Sequence, residues 1–178
     1  LNNVAGIMNV LGERIETQGY DFDLSLWARQ MPELAASTVQ IALIGADGRL
    51  AGTSLERNPV PIDFSDREHF IVHRDRADVG VFVSKPVVGR LSGQLLVQVT
   101  RRLNNPDGSF AGVLAFSLNP EFLTGLHRKI DLGKTGSMVL IGRDDAVIRA
   151  RFSSLAEPNT ELIGKAFPNA RTVRDAQS

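Results

Sequence analysis

The stretch QLLVQVTRRLNNPDGSFAGVLAFSL, residues 94–118, decides the fold. At its centre stands Asn105-Pro106-Asp107-Gly108. Proline presets φ for a tight turn and glycine accepts a positive φ, so these four residues read as a turn. On either side lies a run rich in Val, Leu and Phe, as expected of strands. The segment is therefore a β-hairpin, with strands at 94–103 and 109–118. Side chains alternate along a strand. Leu95, Val97, Val99 and Arg101 fall on one face, and Gln94, Leu96, Gln98, Thr100 and Arg102 on the other. The first set reads as core. The second is mixed, and either lines a polar cavity or faces water.

Working outward, a glycine-bounded turn at 89–93 joins this hairpin to a third strand at 79–88. Upstream, an apolar run at 39–44, the turn Asp47-Gly48 and a return at 49–54 make another hairpin. Pro59 and Pro61 mark a loop between the two groups of strands. Ser65 then stands ready to cap a helix at 66–74, with Glu68 at the capping-box position. Downstream, Asn119-Pro120 opens a helix at 121–129, because proline suits a first helical turn. At the start of the chain Leu1, Val4, Met8, Leu11 and Ile15 form a helical stripe, widened by Ile7 and Val10. Gly19 and Tyr20 end it. Asp23 caps a second short helix carrying Leu24, Trp27, Met31 and Leu34, with Pro32 near its end.

The order is thus helix, two strands, helix, three strands, helix. It predicts an α+β fold: a five-stranded antiparallel sheet with a helix inserted between strands 2 and 3. The N-terminal helices cover one face, and the middle helix and its loops cover the other. An internal echo adds to this. Leu43-Ile44-Gly45-Ala46-Asp47 recurs as Leu140-Ile141-Gly142-Arg143-Asp144, each between two strand-like runs. Either chance explains the echo, or a second copy of the sheet begins near Gly136.

Composition narrows the function. The chain has 178 residues, 43% of them hydrophobic, which is enough to bury a core. Twenty basic residues balance twenty acidic ones, and no basic stripe points to nucleic acid. Cysteine is absent, which removes disulfides and thiolate chemistry. No run reaches the ~18 apolar residues of a membrane span. The chain begins at Leu1, not at a methionine, and reads as an excised fragment, so missing membrane segments say nothing against a membrane parent.

Catalytic motifs are weak. Gly133-Lys134-Thr135 resembles the end of a phosphate loop, but Arg128 occupies the required glycine position and a strand follows. There is no G-x-S-x-G elbow. His69 and His73 share a helix face at the spacing of a zincin pair, yet Phe70 stands where the glutamate belongs. They are a two-ligand metal candidate or, more simply, solvent-facing or pocket-lining residues. Asp144-Asp145 sits in a turn, where carboxylates usually serve the backbone. The polar residues Arg67, His69, His73, Ser84, Lys85, Gln98, Thr100 and Arg102 form a set with a positive bias. It suits a small polar ligand or one bearing a carboxylate. Its plain rival is a solvated sheet face.

Asp66-Arg67-Glu68-His69-Phe70, Val83-Ser84-Lys85-Pro86-Val87, Thr100-Arg101-Arg102-Leu103 and Asp107-Gly108-Ser109-Phe110-Ala111-Gly112-Val113 together resemble the membrane-distal unit of double Cache (PDC, PAS-like) sensor domains. Such domains occur in GGDEF-type diguanylate cyclases and sensor histidine kinases. Asp131-Leu132-Gly133, Gly136-Ser137, Arg143-Asp144-Asp145 and Leu162-Ile163-Gly164-Lys165 resemble the opening of the membrane-proximal unit. The resemblance implies N-terminal signalling helices at 1–36, a distal PAS-like sensing unit at 37–130, and an incomplete second unit at 131–178. It implies a periplasmic location, no cofactor and no catalysis in this chain. The polar set points to a small polar or anionic ligand of organic-acid or amino-acid type, and the N-terminal stripe either packs on the sheet or forms the seam of a parallel homodimer. Arg67 and Arg102 would take an anionic group, Ser84, Gln98 and Thr100 would orient the ligand, and Phe70 and His73 would complete the wall. The rivals are a ligand-free dimerisation spacer and a small metalloenzyme using His69 and His73.

Overall fold

The computed structural model describes residues 2–19, 22–31, 38–125, 132–154 and 160–167. Its elements are α1 (Asn2–Gln18), α2 (Leu24–Arg29), β1 (Thr38–Gly45), β2 (Leu50–Thr53), α3 (Glu68–Asp75), β3 (Val81–Val88), β4 (Leu95–Asn104), β5 (Phe110–Leu118), α4 (Pro120–Gly125), β6 (Ser137–Ile141), β7 (Ile148–Ser153) and a 3-10 turn, Thr160–Leu162. They form two compact units, Leu1–Ser84 with Gln98–Leu118, and Lys85–Val97 with Asn119–Ser178.

The five-stranded sheet has the order β2-β1-β5-β4-β3. β1 runs antiparallel to both neighbours, with Gln40 opposite Ser117 and Leu43 opposite Leu114. Partners directly across a ladder point to the same face. The two faces of the first unit therefore differ in kind. One carries Ile41, Leu43, Leu114, Phe116, Leu118, Val99 and Leu103, all buried. This is the main core, and each such side chain contributes roughly 2–3 kcal/mol on burial. The other carries Gln40, Ala42, Ala115, Ser117, Gln98 and Thr100, which are also buried but are small or polar, and beside them the aliphatic pair Ile44 and Val113.

Helix α1 attaches to the apolar face. Val4, Met8, Leu11 and Ile15 are buried, as the stripe predicts. Val10 is not, being 70% exposed, so the buried stripe is narrower than predicted. Gly12 matters because the Arg101 guanidinium occupies the space a Cβ would take. From there Arg101 pairs with Glu16 (Nη2 to Oε2, 3.6 Å), and the Asn104 N–H donates to Glu16 Oε1 at 2.9 Å. Arg101, assigned to the core from alternation alone, is thus the polar clasp between β4 and α1.

Helix α2 begins as expected: Asp23 caps it, accepting from the Leu26 N–H at 2.9 Å. It ends at Arg29, and Met31 is 43% exposed, so the stripe stops at Trp27; Leu34 lies outside the described residues. Helix α3 starts two residues later than predicted. Its N-cap is Arg67, without a side-chain cap bond, because the Ser65 N–H donates to Asp63 in a local turn instead. Helix α4 is described to Gly125, and the rest of the predicted 121–129 helix lies outside the described residues.

The sequence echo is a structural repeat. In the first unit Ala42 pairs with Thr53, Leu43 with Gly52, and Ile44 with Leu50 across a bulge. In the second, Val139 pairs with Arg151, Leu140 with Ala150, and Ile141 with Ile148 across a bulge at the same place. A positive-φ residue precedes each return strand, Gly48 (81°) and Ala146 (55°). Each then takes a later segment in the same way. The Phe64 N–H donates to the Gly48 carbonyl at 2.7 Å, and the Phe167 N–H to the Ala146 carbonyl at 2.8 Å. Chance would not reproduce register, bulge, φ and docking segment together.

Candidate functional site

The polar face of the first unit holds a row of buried side chains crossing the strands. The Gln40 amide Nε2 donates to Thr53 Oγ1 (3.0 Å). Ser117, opposite Gln40, donates from Oγ to Gln98 Oε1 (2.9 Å). The Gln98 backbone N–H donates to Ser84 Oγ (2.9 Å). The Gln98 amide NH₂ group makes no hydrogen bond among the described residues. A sheet face meant only for packing would carry aliphatic groups here, since each buried polar atom costs free energy until it is bonded.

Helix α3 covers this row through His73, which is fully buried. His73 Nε2 and Thr100 Oγ1 form a hydrogen bond of 2.9 Å, while Nδ1 has no partner among the described residues. Burial, joined by the nearby Arg102 charge, pushes the imidazole down from its ordinary 6.5 to about 4. The ring is therefore neutral at neutral pH. Arg102 donates from Nη1 to the His73 carbonyl and from Nε to Asn104 Oδ1, the latter at 2.8 Å. Its guanidinium lies 4.7 Å from the centre of the Phe110 ring. Phe70 meets Phe110 edge-on (5.6 Å), and Phe82 meets His73 edge-on (6.3 Å). Among the described residues no carboxylate lies within ion-pair distance of Arg102.

Of the seven residues expected from sequence, His73, Thr100 and Arg102 form one bonded group, and Ser84 and Gln98 another on the same face. Phe70 is buried beside Phe110. Arg67 is half-buried at the start of α3, and the bonds described above do not include it. In two places the solvent-facing alternative drops out. His69 and His73 do not face solvent, since both are buried against the sheet. The even-numbered residues of β4 do not face water either: Leu96, Gln98 and Thr100 are as buried as Val97 and Val99 on the other face. The metal reading loses a ligand atom, because His73 Nε2 is bonded to Thr100, and the described residues contain no group of three or more His, Asp or Glu side chains placed to hold an ion. Sequence reading missed Gln40, Thr53 and Ser117. Each is a lone polar residue in an apolar strand, and that was the available signal. A separate cavity of about 350 Å³ lies between the last turn of α1 and residues 103–106, and none of the seven lines it.

No family model matches the chain, and no curated protein matches it by sequence. Solved structures do. The extracellular domain of the histidine kinase rpHK1S-Z16 superposes with a TM-score of 0.79 at 23% identity, over 99% of this chain and 70% of that one. This chain therefore has the same fold as that extracellular domain. The ligand-binding domain of the Pseudomonas aeruginosa amino acid chemoreceptor PctC, in complex with GABA, matches with a TM-score of 0.62 at 18% identity (93% and 70% covered). That of the Campylobacter jejuni chemoreceptor Tlp3, in complex with 4-methylisoleucine, gives 0.62 at 14% (97% and 68%). These likenesses extend over both units of the chain. No described helix is long and apolar enough to cross a membrane.

Proposed function

We propose that this chain is the extracytoplasmic small-ligand sensing region of a bacterial transmembrane signalling receptor, and a binding module with no catalytic role of its own. In this reading the segment 37–130 binds the ligand, 1–36 carries the signal and the dimer contact, and 131–178 opens a second PAS-like unit. The parent would be a histidine kinase or diguanylate cyclase in the inner membrane, with this region in the periplasm. The ligand is an amino acid or a small organic acid.

The observation that carries the proposal is the asymmetry of the sheet. One face is filled with large aliphatic and aromatic groups. The other, besides Ile44 and Val113, keeps Ala42, Ala115, Ser117, Gln98 and Thr100 buried, with Arg102 at the edge and no carboxylate within ion-pair distance of it among the described residues. A guanidinium held by the His73 carbonyl and Asn104, with donors left over, favours a carboxylate-bearing ligand beside these small and polar groups. Arg102 would hold the carboxylate and Gln98, Thr100, Ser84 and His73 would orient the rest. Phe70 would supply an apolar wall and Arg67 a second positive charge. A sensor shifts its equilibrium only by its ligand's preference for one state, so the ligand must favour one arrangement of α3 over the sheet.

The test is a thermal-shift screen of the amino acids, GABA and small mono- and dicarboxylates. A ligand at a hundred times its Kd adds about 2.7 kcal/mol of stability. Arg102→Gln should abolish the shift. A broad screen without a hit would instead favour a ligand-free dimerisation module. That reading draws on the hydrogen bonds that Gln40, Ser117 and Thr100 already make within the protein.

A further inference from the structure

The first unit contains a cavity that the sensing proposal leaves unused. It measures about 350 Å³, within the ~300–1,000 Å³ of small-molecule sites, and lies between the last turn of α1 and the residues that open the β4–β5 turn. None of the seven residues proposed for sensing lines it. Part of its wall is apolar, formed by Ile15, Leu103 and Ala111, all three buried. One of its lining side chains is charged, and that one is a carboxylate, Glu16.

The polar part of the lining is short of donors. The Gly19 N–H is spent on the Ile15 carbonyl (2.8 Å), the Asn105 N–H on the Ser109 carbonyl (2.9 Å) and the Asn104 N–H on Glu16 Oε1 (2.9 Å). Pro106 has no N–H. The Thr17 hydroxyl donates to the Glu13 carbonyl (2.7 Å), and Asn105 Nδ2 to Ser109 Oγ (2.9 Å). Acceptors are left over. Asn105 Oδ1 makes no hydrogen bond among the described residues. Glu16 Oε2 stands 3.6 Å from Arg101 Nη2, an ion pair too long to be a hydrogen bond. The last carbonyls of a helix lack intrahelical donors and carry its partial negative charge. The last turn of α1 has no basic residue to answer that charge. Three arginines stand nearby, but none lines the cavity. Arg101 flanks Glu16, Arg14 reaches Gln18 Oε1 and the Phe22 ring, and Arg102 reaches Asn104 Oδ1 and the Phe110 ring. A lining rich in acceptors, with one negative charge and an apolar wall, suits a ligand with a cationic, donor-rich head and a short hydrocarbon body.

We propose that this cavity is a second ligand site, for a small aliphatic primary amine in its ammonium form. The ammonium N–H groups donate to Glu16, Asn105 Oδ1 and a carbonyl at the end of α1, and the alkyl chain lies on Ile15, Leu103 and Ala111. Glu16 also clasps β4 to α1 through Arg101 and Asn104, so the amine acts directly on that clasp. The site is separate from the sensing face and does not rest on that reading.

The test uses the chain as it stands. Its backbone amide resonances are followed by NMR at neutral pH during titration with butylamine hydrochloride, and with sodium chloride, butanol and sodium butyrate at matched ionic strength. The Asn104 N–H, bonded to Glu16, should shift saturably with butylammonium and with none of the other three. Gln18→Lys puts a cation at the C-terminal end of α1, where it suits the helix, and leaves the Glu16 clasp in place. It should weaken butylammonium binding about tenfold, the worth of one hydrogen bond to a charged group. Glu16→Gln keeps an acceptor for the Asn104 N–H but loses the charge, and should weaken binding at least as much. A response matched by sodium chloride or butanol, or undiminished in Gln18→Lys, overturns the proposal, as does a silent titration. A butylammonium shift at the Gln98 amide without one at Asn104 also overturns it, because it places the amine on the sensing face; the sensing proposal would survive that result.

Discussion

Lowering the pH from 7.5 to 4.5 should destabilise the first unit through a single residue, His73. In the native state the ring is fully buried and its pKa lies at about 4; the unfolded value is the ordinary 6.5. The shift is downward for a group that gains charge on protonation. Its contribution is therefore fully present above pH 6.5 and is lost as the pH falls towards 4. Within that window the unfolded chain binds one proton that the folded chain refuses, and stability falls by up to about 1.4 kcal/mol per pH unit. The integrated loss is at most about 3 kcal/mol, a large share of the 5–15 kcal/mol typical of a domain. The assay is urea unfolding at several pH values, read from the fluorescence of Trp27, the one tryptophan of the chain. His73→Gln provides the reference, because it cannot titrate and other groups cancel in the difference. The wild type should lose stability relative to the variant between pH 6.5 and 4. Parallel curves across that interval would show that His73 is accessible to protons in the folded state, and would refute the burial argument.

Thr100→Val keeps the shape and removes the hydroxyl bonded to the His73 ring; it should cost about 1–3 kcal/mol in urea unfolding at pH 7.5. Both hairpins should favour glycine over alanine at their left-handed position. Ala146→Gly relieves a left-handed alanine and should stabilise the second unit by about 1 kcal/mol. Gly48→Ala should destabilise the first unit by more than that, since the new Cβ would also stand 2.6 Å from that of Ser65. Both are read from thermal melts. Glu16→Ala should cost about 1–2 kcal/mol by the same measure, because it frees the Asn104 N–H and Arg101 together.

Much of the fold was legible because its signals are local. The 105–108 turn, the Asp47-Gly48 hairpin and the Asp23 cap each depend on a few neighbouring residues, and each lies where expected. The order of elements then left little choice of sheet. Where the reading failed, the deciding contact was distant in sequence. Arg101 counts as core by alternation, and only Glu16 and Gly12 on α1 make it a clasp. Val10 belongs to the stripe by spacing, but α1 meets the sheet along a narrower line. Among the candidate site residues, those on β4 and α3 could be named because β4 alternates between polar and apolar. Gln40, Thr53 and Ser117 could not, because their importance comes from register across three strands. The buried state of His73 likewise depends on Thr100, contributed by a strand that lies beyond another element in the chain.

The strand order also dictates when the sheet can be finished. β1 and β5 lie side by side, with Thr38 opposite Leu118 and Gly45 opposite Gly112. The β1–β2 hairpin leaves the ribosome early and closes quickly, but its inner neighbour is the last of the five strands to be made. Contacts so far apart in sequence form slowly. Until Leu118 has been synthesised, β1 presents an open edge flanked by Ile41, Leu43 and Ile44, the kind of edge that pairs with other chains. Aggregation during synthesis or refolding should therefore begin at β1, and a variant that delays the closing of the 94–118 hairpin should aggregate more even where its native stability is unchanged.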